Sequence, residues 1–522
     1  MQDKNILFWV LEEWSNYILM KEKSRSKLLA YNSITSLFSQ GITVICSFVL
    51  TRLILSHFGS SVNGLVSSIT QFLGFISFLE MGIGAVVKSA LYKPLADKNY
   101  DEVSRVIIST KKFYRTIAKI LILYTIVLTI AFPIISREEF SPVFTGSLVL
   151  IIAISLFAQY YFGMPYQLLL NADQRIYIPT ITCCTTLIIN TVLSAFFIYM
   201  GASIQIVKLI TSLVYVIRPI FYSVYVRKNY PLNEKQILKE EPLKQKWNGL
   251  AQHIAYVVVN YTDIVVLTIL STMTNVSIYT VYHNVTIGVQ QVISSISVGI
   301  SAMLGNVLYS ETKERLQDTF GLVEWFFHTV TVTFFTITGI MIMPFVQLYT
   351  KGVEDANYIV PAFAILITVA QASYSIRTPY ETMVLAANHF KQTQRSAIIE
   401  VVINICVSVT LVFKFGLIGV AIGTLAAMSY RTIYFVFYLK NHILKYNIWQ
   451  FVKLLILDAI QVMICLGICY FFHLYLKIDS WSEWIVRAVL ISIISFAVCG
   501  TVNYIFNQQY MKNIIKKILK RN

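Results

Sequence analysis

Long apolar runs, each ended by a short polar stretch, fill most of the sequence after about residue 30. Each run has about the twenty residues that an α-helix needs to cross the hydrocarbon core of a bilayer. The pattern predicts an all-α integral membrane protein with about fourteen transmembrane helices. The longest polar loop between them, 226–248, separates the first six predicted helices from the next six.

One stretch of the sequence occurs twice. The first copy opens with Pro165-Tyr166 and the second with Pro379-Tyr380, an offset of 214 residues that becomes 213 by the end. The matched pairs are Ala172 and Ala386, Asn190 and Asn404, Ser194 and Ser408, Arg218 and Arg431, and Tyr225 and Tyr438. Earlier in each half, Gly82-Ile-Gly-Ala85 matches Gly299-Ile-Ser-Ala302. Because each half has an even number of helices, the halves are predicted to be parallel, pseudo-symmetric six-helix bundles, followed by two C-terminal helices.

Residues 1–20 lack the basic start and the cleavage site of a signal peptide. We interpret them either as an interfacial amphipathic helix or as residues upstream of a true start at Met20. The predicted organisation is a cytoplasmic N-terminal segment (1–29), a first lobe (30–225), a cytoplasmic linker (226–248), a second lobe (249–440), two further transmembrane helices (450–506) and a basic cytoplasmic tail (507–522).

The composition agrees with a membrane protein. Hydrophobic residues make up 56% of the chain and charged residues 13%, against about 25% charged in soluble domains. The net charge of +16 would also suit a nucleic-acid binder. With the N-terminus inside, however, 28 Lys and Arg residues fall in cytoplasmic segments and 4 in external loops. This bias predicts that both termini are cytoplasmic and that the basic loops face an anionic leaflet, without a nucleic-acid partner.

Signals for an enzyme are missing from the sequence. It contains neither a GxxxxGK[ST] phosphate-binding loop nor an HExxH motif. The seven Cys residues lie in apolar runs and lack CxxC spacing, so they are expected to pack as small hydrophobic side chains. We therefore expect a non-enzyme without a cofactor, apart from a coupling ion, Na⁺ or H⁺. A duplicated six-helix bundle with charges inside its helices is typical of transporters, whose substrate site lies between the halves.

Basic residues inside the predicted helices are candidates for binding an anionic substrate. A charge in hydrocarbon costs about 3 kcal/mol or more and usually faces the bundle interior. Arg218 and Arg431 hold equivalent repeat positions, and two guanidiniums facing one cavity would suit a diphosphate. The alternatives are snorkelling to the interface and pairing with a carboxylate or a Tyr. Arg377 is either a substrate contact or the ion-pair partner of Glu381, one turn on.

Two further basic residues, Arg52 and Lys88, are either interfacial anchors or part of a cationic lumen. Four acidic residues are candidates for coupling a proton or Na⁺, or else for pairing with the arginines: Asp263, Glu80, Glu400 and Glu381. Arg and Lys outnumber the acids within the predicted helices, which favours an anionic substrate.

Several short motifs resemble the polysaccharide-transporter branch, the Wzx-type flippases, of the multidrug/oligosaccharidyl-lipid/polysaccharide (MOP) superfamily. They are Gly82-Ile-Gly-Ala with Leu91-Tyr-Lys-Pro94, Leu170-Asn-Ala-Asp173, Asp263 after Asn-Tyr-Thr, and Ser277-Ile-Tyr-Thr-Val-Tyr282. The resemblance implies a MATE-like fold of two six-helix lobes around a cationic cavity. It also implies that an undecaprenyl-diphosphate-linked oligosaccharide moves from the inner to the outer leaflet, coupled to a cation gradient. The family's lumenal arginines carry over by type to Arg218, Arg377 and Arg431, and its acidic coupling site to Asp263.

We therefore expect a flippase for an O-antigen, capsule or exopolysaccharide repeat unit in the bacterial cytoplasmic membrane, working by alternating access. Its partners would be the lipid-linked oligosaccharide, the bilayer, and the polysaccharide polymerase and chain-length machinery. A cation-coupled multidrug or small-molecule exporter and a peptidoglycan lipid-precursor flippase share this fold and remain alternatives. A membrane scaffold that transports nothing is a third class.

Overall fold

The computed structural model describes residues 25–80, 82–233, 242–243, 250–389, 391–445, 447–474 and 478–512. The predicted N-terminal interfacial helix, most of the 226–248 linker and most of the basic tail lie outside these residues. The described part is helical and contains no strand, so the predicted all-α class is confirmed. The helices are α1 (Arg25–Phe58), α2 (Ser60–Gly74), α3 (Ile83–Ala96), α4 (Tyr100–Ile135), α5 (Pro142–Ala158), α6 (Met164–Ala172), α7 (Tyr177–Tyr199), α8 (Ile204–Asn229), α9 (Leu250–Leu270), α10 (Met273–Ser310), α11 (Lys313–Tyr349), α12 (Pro361–Ala386), α13 (Gln394–Phe415), α14 (Leu417–His442), α15 (Ile448–Phe471) and α16 (Trp481–Phe506).

Within the described residues, eleven helical segments are long and apolar enough to cross a membrane. Large apolar side chains such as Leu123, Ile130 and Phe413 point away from the protein interior, as they do where a surface faces lipid. These features describe a multi-pass membrane protein. The predicted spans 249–270, 276–304 and 357–386 coincide with α9, α10 and α12, which are not among the eleven. The total of fourteen spans therefore stays a prediction.

Two of the predicted spans are not straight helices. The second consists of α2, a 3₁₀ turn (Phe75–Glu80) and α3; α3 begins after Gly82, whose φ of 77° is left-handed and therefore favours glycine. The fourth consists of α5, a π-helical turn (Gln159–Gly163) and α6. Pro165 follows that turn directly and has no backbone N–H to donate to the preceding turn, which accounts for the wider backbone there.

The chain divides into two compact units. The first contains Met1–His57 and Phe72–Leu250, and the second contains Phe58–Gln71 and Ala251–Asn522. In the first unit, α4, α5 and α8 pack side by side, and α7 lies along α8. In the second unit, α12, α13 and α14 form the most closely packed group, and α15 and α16 pack on α11. Most of α2 therefore packs with the second unit, although it precedes α3 to α8 in the sequence.

The pair α13 and α14 is brought unusually close by a small residue. A Cβ atom at Gly423 would lie 2.1 Å from Ser408 Oγ and 2.8 Å from the Ser408 backbone nitrogen. Only glycine fits at this crossing, as in the small-residue contacts that let membrane helices approach one another. The approach brings the polar side chains of Asn404, on α13, and Thr424, on α14, within 3.3 Å of each other.

The start of α2 is held by residues from a distant loop. Asp355, in the connection between α11 and α12, accepts hydrogen bonds from Ser60 N at 2.6 Å and from Ser60 Oγ at 2.7 Å. Tyr358 donates to Ser60 Oγ at 2.8 Å. Burial raises the pKa of the Tyr358 hydroxyl, so it remains a neutral donor. A carboxylate that accepts from the first N–H groups of a helix stabilises its N-terminus, and here that carboxylate comes from elsewhere in the chain.

Candidate functional site

Two arginines of the second unit share one glutamate. Glu400, on α13, accepts from Arg377 Nη1 at 2.6 Å and from Arg431 Nη1 at 2.8 Å. All three side chains are buried, with at most 5% of their surface exposed. Each guanidinium also covers an aromatic ring: Arg377 lies over Tyr374 and Arg431 over Phe435. The glutamate is therefore the acid that allows two positive charges inside the helix bundle.

A second carboxylate lies beside Arg377. Glu381 Oε2 is 3.4 Å from Arg377 Nε, which makes an ion pair, but the angle is too poor for a hydrogen bond, and Nε has no partner. We give the ion pair the smaller weight, because Glu381 is partly exposed. The formal charges of the two arginines and two glutamates cancel. Of the alternatives that the sequence left open for Arg377 and Glu400, the structure supplies the ion pair.

Arg218 has different surroundings in the first unit. Its Nε donates to Thr186 Oγ1 at 2.6 Å, and its guanidinium lies 4.0 Å from the centre of the Tyr215 ring. Its Nη2 atom is buried without a hydrogen-bond partner. Among the described residues no carboxylate forms an ion pair with it. A guanidinium with an unused donor and an uncancelled charge is able to take a carboxylate or a phosphate oxygen.

The two arginines nevertheless occupy the same position in the repeat. Thr186 lies 214 residues before Glu400, so each arginine contacts the side chain at the matching position of the preceding helix. The offset also aligns Gly163 with Arg377. The first unit thus keeps the geometry of the contact but lacks both the acid and the second arginine. The two-arginine prediction therefore refers to one guanidinium that is neutralised and one that is not.

The second polar cluster surrounds Asp263, on α9. Its carboxylate accepts from Thr424 Oγ1 at 2.6 Å, from Tyr279 Oη at 2.9 Å and from Asn404 Nδ2 at 3.4 Å. Only 2% of Asp263 is exposed, and among the described residues no Lys or Arg pairs with it. Three hydrogen bonds therefore compensate for a buried carboxylate that has no counter-ion in the protein.

The Asp263 cluster also has the oxygen atoms that a small cation would need. Asn404 Oδ1 is buried and accepts no hydrogen bond, although Asn404 Nδ2 is engaged. Ser408 Oγ and the Val420 carbonyl lie 3.4 Å apart on the same two helices. Hard monovalent and divalent cations prefer carboxylate, amide and hydroxyl oxygens. No group of three His, Cys, Asp or Glu side chains that could hold a metal ion exists within the described ranges, so a cation here would rely on one carboxylate and neutral oxygens.

The remaining predicted residues lie apart from these clusters. Glu80, at the end of the 3₁₀ turn, accepts a hydrogen bond from Tyr160 Oη at 2.5 Å. Arg52, on α1, and Lys88, on α3, are both partly buried. The structure leaves the choice between anchor and lumen open for these two basic residues. It gives Glu80 a tyrosine partner from the π-helical turn.

The repeat is also visible at the ends of the helices. In the first unit Arg175 Nη1 donates to Tyr225 Oη at 3.2 Å, and in the second His389 Nδ1 lies 2.8 Å from Tyr438 Oη. Arg175 and His389 are again 214 residues apart. Beside Arg175, burial and the negative charge of Asp173 raise the pKa of the Tyr230 hydroxyl, which donates to that carboxylate.

Several residues of these clusters escaped prediction from the sequence. Thr186 could have been found by applying the repeat offset to Glu400. Thr424 and Tyr279 carry no signal of their own, because Thr and Tyr are frequent in membrane helices. Glu324, His328 and Asp458, which form a third buried cluster, were also missed.

Comparison with known proteins places the fold. No protein-family model and no curated protein matches the chain. Among solved structures, the lipid II flippase MurJ in an inward-closed conformation is similar over 91% of this chain and 98% of its own, with a TM-score of 0.66 and 16% identity.

Two multidrug transporters are also similar. An inward-facing multidrug resistance MATE family transporter of the MOP superfamily matches 81% of this chain and 98% of its own, with a TM-score of 0.62 and 13% identity. A eukaryotic MATE transporter matches 82% and 98%, with a TM-score of 0.56 and 13% identity. The chain therefore has the fold of the MurJ and MATE transporters.

Proposed function

We propose that this protein is a flippase that moves a polyprenyl-diphosphate-linked oligosaccharide from the inner to the outer leaflet of the bacterial cytoplasmic membrane. The transported oligosaccharide would be an O-antigen, capsule or exopolysaccharide repeat unit, and transport would proceed by alternating access. The fold supports a membrane flippase or transporter, and the distribution of Lys and Arg supports cytoplasmic termini. The polysaccharide polymerase and chain-length machinery would use the product.

The observation that carries the proposal is the unpaired charge of Arg218. Its Nη2 is buried without a partner, and its nearest polar neighbour is the neutral Thr186. A diphosphate offers oxygen acceptors that a guanidinium binds through paired, charge-assisted hydrogen bonds. Arg431 and Arg377 already share Glu400, so Arg218 is the better first contact for the substrate. A cationic drug would be repelled by it.

The proposed coupling site is Asp263 with Asn404 and Thr424. Binding of Na⁺ would use the carboxylate and the unsatisfied Asn404 Oδ1, while binding of H⁺ would neutralise the carboxylate itself. Either ion removes the cost of a buried negative charge. A helix-packing change that follows from this neutralisation would couple the ion gradient to transport.

Two other functions remain alternatives. A cation-coupled exporter of drugs or small molecules is favoured by the two MATE neighbours and by the buried Asp263. A flippase for the peptidoglycan lipid precursor is favoured by the MurJ neighbour, whose printed name gives lipid II as its substrate. The lipid-linked oligosaccharide is preferred because Arg218 is cationic and because the sequence motifs resemble the polysaccharide branch.

The test is made in a strain that lacks the gene. We expect lipid-linked oligosaccharide to accumulate in the inner leaflet and surface polysaccharide to be lost, with rescue by the wild type but not by Arg218→Ala. Lys228→Ala, which removes an exposed charge from the end of the same helix, serves as the matched control and should rescue. Normal surface polysaccharide in the deletion strain would exclude the flippase, and rescue by Arg218→Ala would exclude its role for Arg218.

A further inference from the structure

A third buried cluster of ionisable groups joins α11, α12 and α15. Glu324 and His328 lie one turn apart on α11 and are at most 1% exposed. Tyr380, on α12, donates to Glu324 Oε1 at 2.5 Å and lies 3.3 Å from His328 Nε2. His328 Nδ1 is 2.6 Å from Asp458 Oδ2, on α15. The four groups form one continuous chain of short contacts, separate from the arginines and from Asp263.

Counting hydrogens in this chain shows that one is missing. The three contacts, from Asp458 to His328, from His328 to Tyr380 and from Tyr380 to Glu324, need three hydrogens. Tyr380 supplies one and a neutral imidazole supplies one. With both carboxylates ionised, one contact would therefore bring two acceptors together in a site without water. A buried polar pair without a hydrogen costs roughly 1–3 kcal/mol.

One added proton completes the chain in either of two ways. His328 becomes an imidazolium that donates to both Asp458 and Tyr380, while Tyr380 donates to an ionised Glu324. Alternatively, Glu324 is protonated and donates to Tyr380, which donates to a neutral His328. The two forms contain the same number of protons and differ only in the positions of two hydrogens along short hydrogen bonds. The chain therefore holds the proton jointly.

The surroundings of the chain contain few other charges. On α15, Gln450 Nε2 donates to Glu324 Oε2 at 2.9 Å, and Tyr510, after α16, lies 3.5 Å from the same amide nitrogen. Lys453, also on α15, is directed to Phe506 O and Asn507. Asp318 is exposed on α11.

Apolar side chains complete the enclosure. Phe451, on α15, contacts the rings of both His328 and Tyr380 edge-on. From α10 and α14 the neighbouring side chains are apolar, among them Ile293 and Phe435. No Lys or Arg of the described residues pairs with Glu324, so the added proton has no competing counter-charge.

We propose that Glu324, Tyr380, His328 and Asp458 form a buried site that binds one proton, and that this proton fastens α15 to α11 and α12. The site goes beyond the proposed function, because it needs neither the oligosaccharide nor the cation cluster at Asp263. When the proton leaves, one contact loses its hydrogen and two carboxylates remain in the same apolar enclosure. Detachment of α15 is then the simplest way to let water reach them.

The first experiment measures thermal unfolding of the purified full-length protein between about pH 6 and pH 9. Because the native state holds a proton that the unfolded chain has lost, the midpoint of the wild type should fall as the pH rises. Tyr380→Phe keeps the ring but removes the middle of the chain, so the remaining contact needs only the neutral imidazole. Its midpoint should be nearly independent of pH over this range, as should that of Glu324→Gln with His328→Gln.

The matched control is Thr333→Val at the same junction of α11 and α15. Thr333 Oγ1 accepts from Gln461 Nε2 at 3.3 Å, and neither group titrates. This variant should lower the midpoint by a similar amount at every pH and keep the slope of the wild type. An unchanged slope in Tyr380→Phe would overturn the proton site. Potentiometric titration of the folded protein, which should take up one proton fewer in the double variant, tests the site without reference to stability.

Hydrogen exchange tests the fastening. Amide exchange in α15, corrected for the intrinsic effect of pH by comparison with α13, should increase at the higher pH in the wild type. In Tyr380→Phe the ratio of the two helices should be the same at both pH values. An α15 whose corrected exchange does not respond to pH in the wild type would overturn the fastening. All of these measurements are made without substrate, so their failure and that of the flippase proposal are distinguishable.

Discussion

Arg218 in the first unit and Arg431 in the second hold the same place in a repeat, contact the same position of the preceding helix, and differ in what that position contains. Thr186 gives Arg218 a neutral hydrogen bond, whereas Glu400 gives Arg431 a full countercharge and shares it with Arg377. The duplicated geometry has therefore been used for two purposes. One copy keeps an open charge, and the other has become a buried ion-pair network, which provides geometric specificity at some cost of desolvation.

The comparison is broken most severely by Glu400→Gln. This change leaves two buried guanidiniums without their shared acid, and removing one partner of a buried ion pair typically costs about 3–5 kcal/mol. Thr186→Val, at the matching position of the first unit, removes one hydrogen bond and should cost about 1–3 kcal/mol. Chemical or thermal unfolding of both variants in one detergent measures the difference. Equal losses would contradict the assignment of a structural role to the second copy.

A second difference between the copies concerns the ion. Asn404 lies beside Asp263, whereas its repeat counterpart Asn190 donates to Tyr215 at 3.3 Å. A cation bound at 100 times its dissociation constant stabilises the folded protein by about 2.7 kcal/mol. We expect Na⁺ to raise the unfolding midpoint of the wild type and of Asn190→Ala, but not that of Asp263→Asn. Persistence of the effect in Asp263→Asn would locate the cation elsewhere.

The comparison is sharpened by giving the first copy the acid of the second. Thr186→Glu should pair with Arg218 and reduce binding of a polyprenyl diphosphate by about tenfold, or about 1.4 kcal/mol. Thr186→Gln has the same size without the charge and serves as the control. Binding is measured with the lipid-linked diphosphate in detergent. If both variants bind equally well, the charge of Arg218 does not decide the affinity.

The sequence predicted the features that depend on regular spacing. Helix positions followed from apolar runs, and the alignment of Arg218 with Arg431 followed from a nearly constant offset. Pairing could not be predicted in the same way. Glu400 was identified as a candidate for either coupling or pairing, and its two arginine contacts required the relative rotation of three helices.

Longer separations were less predictable still. His328 and Asp458 are 130 residues apart, and their helices resemble many other apolar helices in composition. Nor does any local pattern assign the first part of α2 to the second unit, because its partners follow about two hundred residues later. The Asp263 site was found as a charge, but its ligand set depends on how closely Gly423 lets α13 and α14 approach.

The hydrogen bonds between Ser60 and Asp355 have a consequence for biogenesis. The carboxylate that caps α2 is synthesised 295 residues after the serine that it holds. During translation α2 must therefore enter the membrane with its first turn unprotected, and it reaches its final contacts only after α11 has been inserted. Chains interrupted before Asp355 would expose an incomplete helix end to the quality-control proteases of the membrane, so that degradation would report on an unfinished second unit long before transport could be assayed.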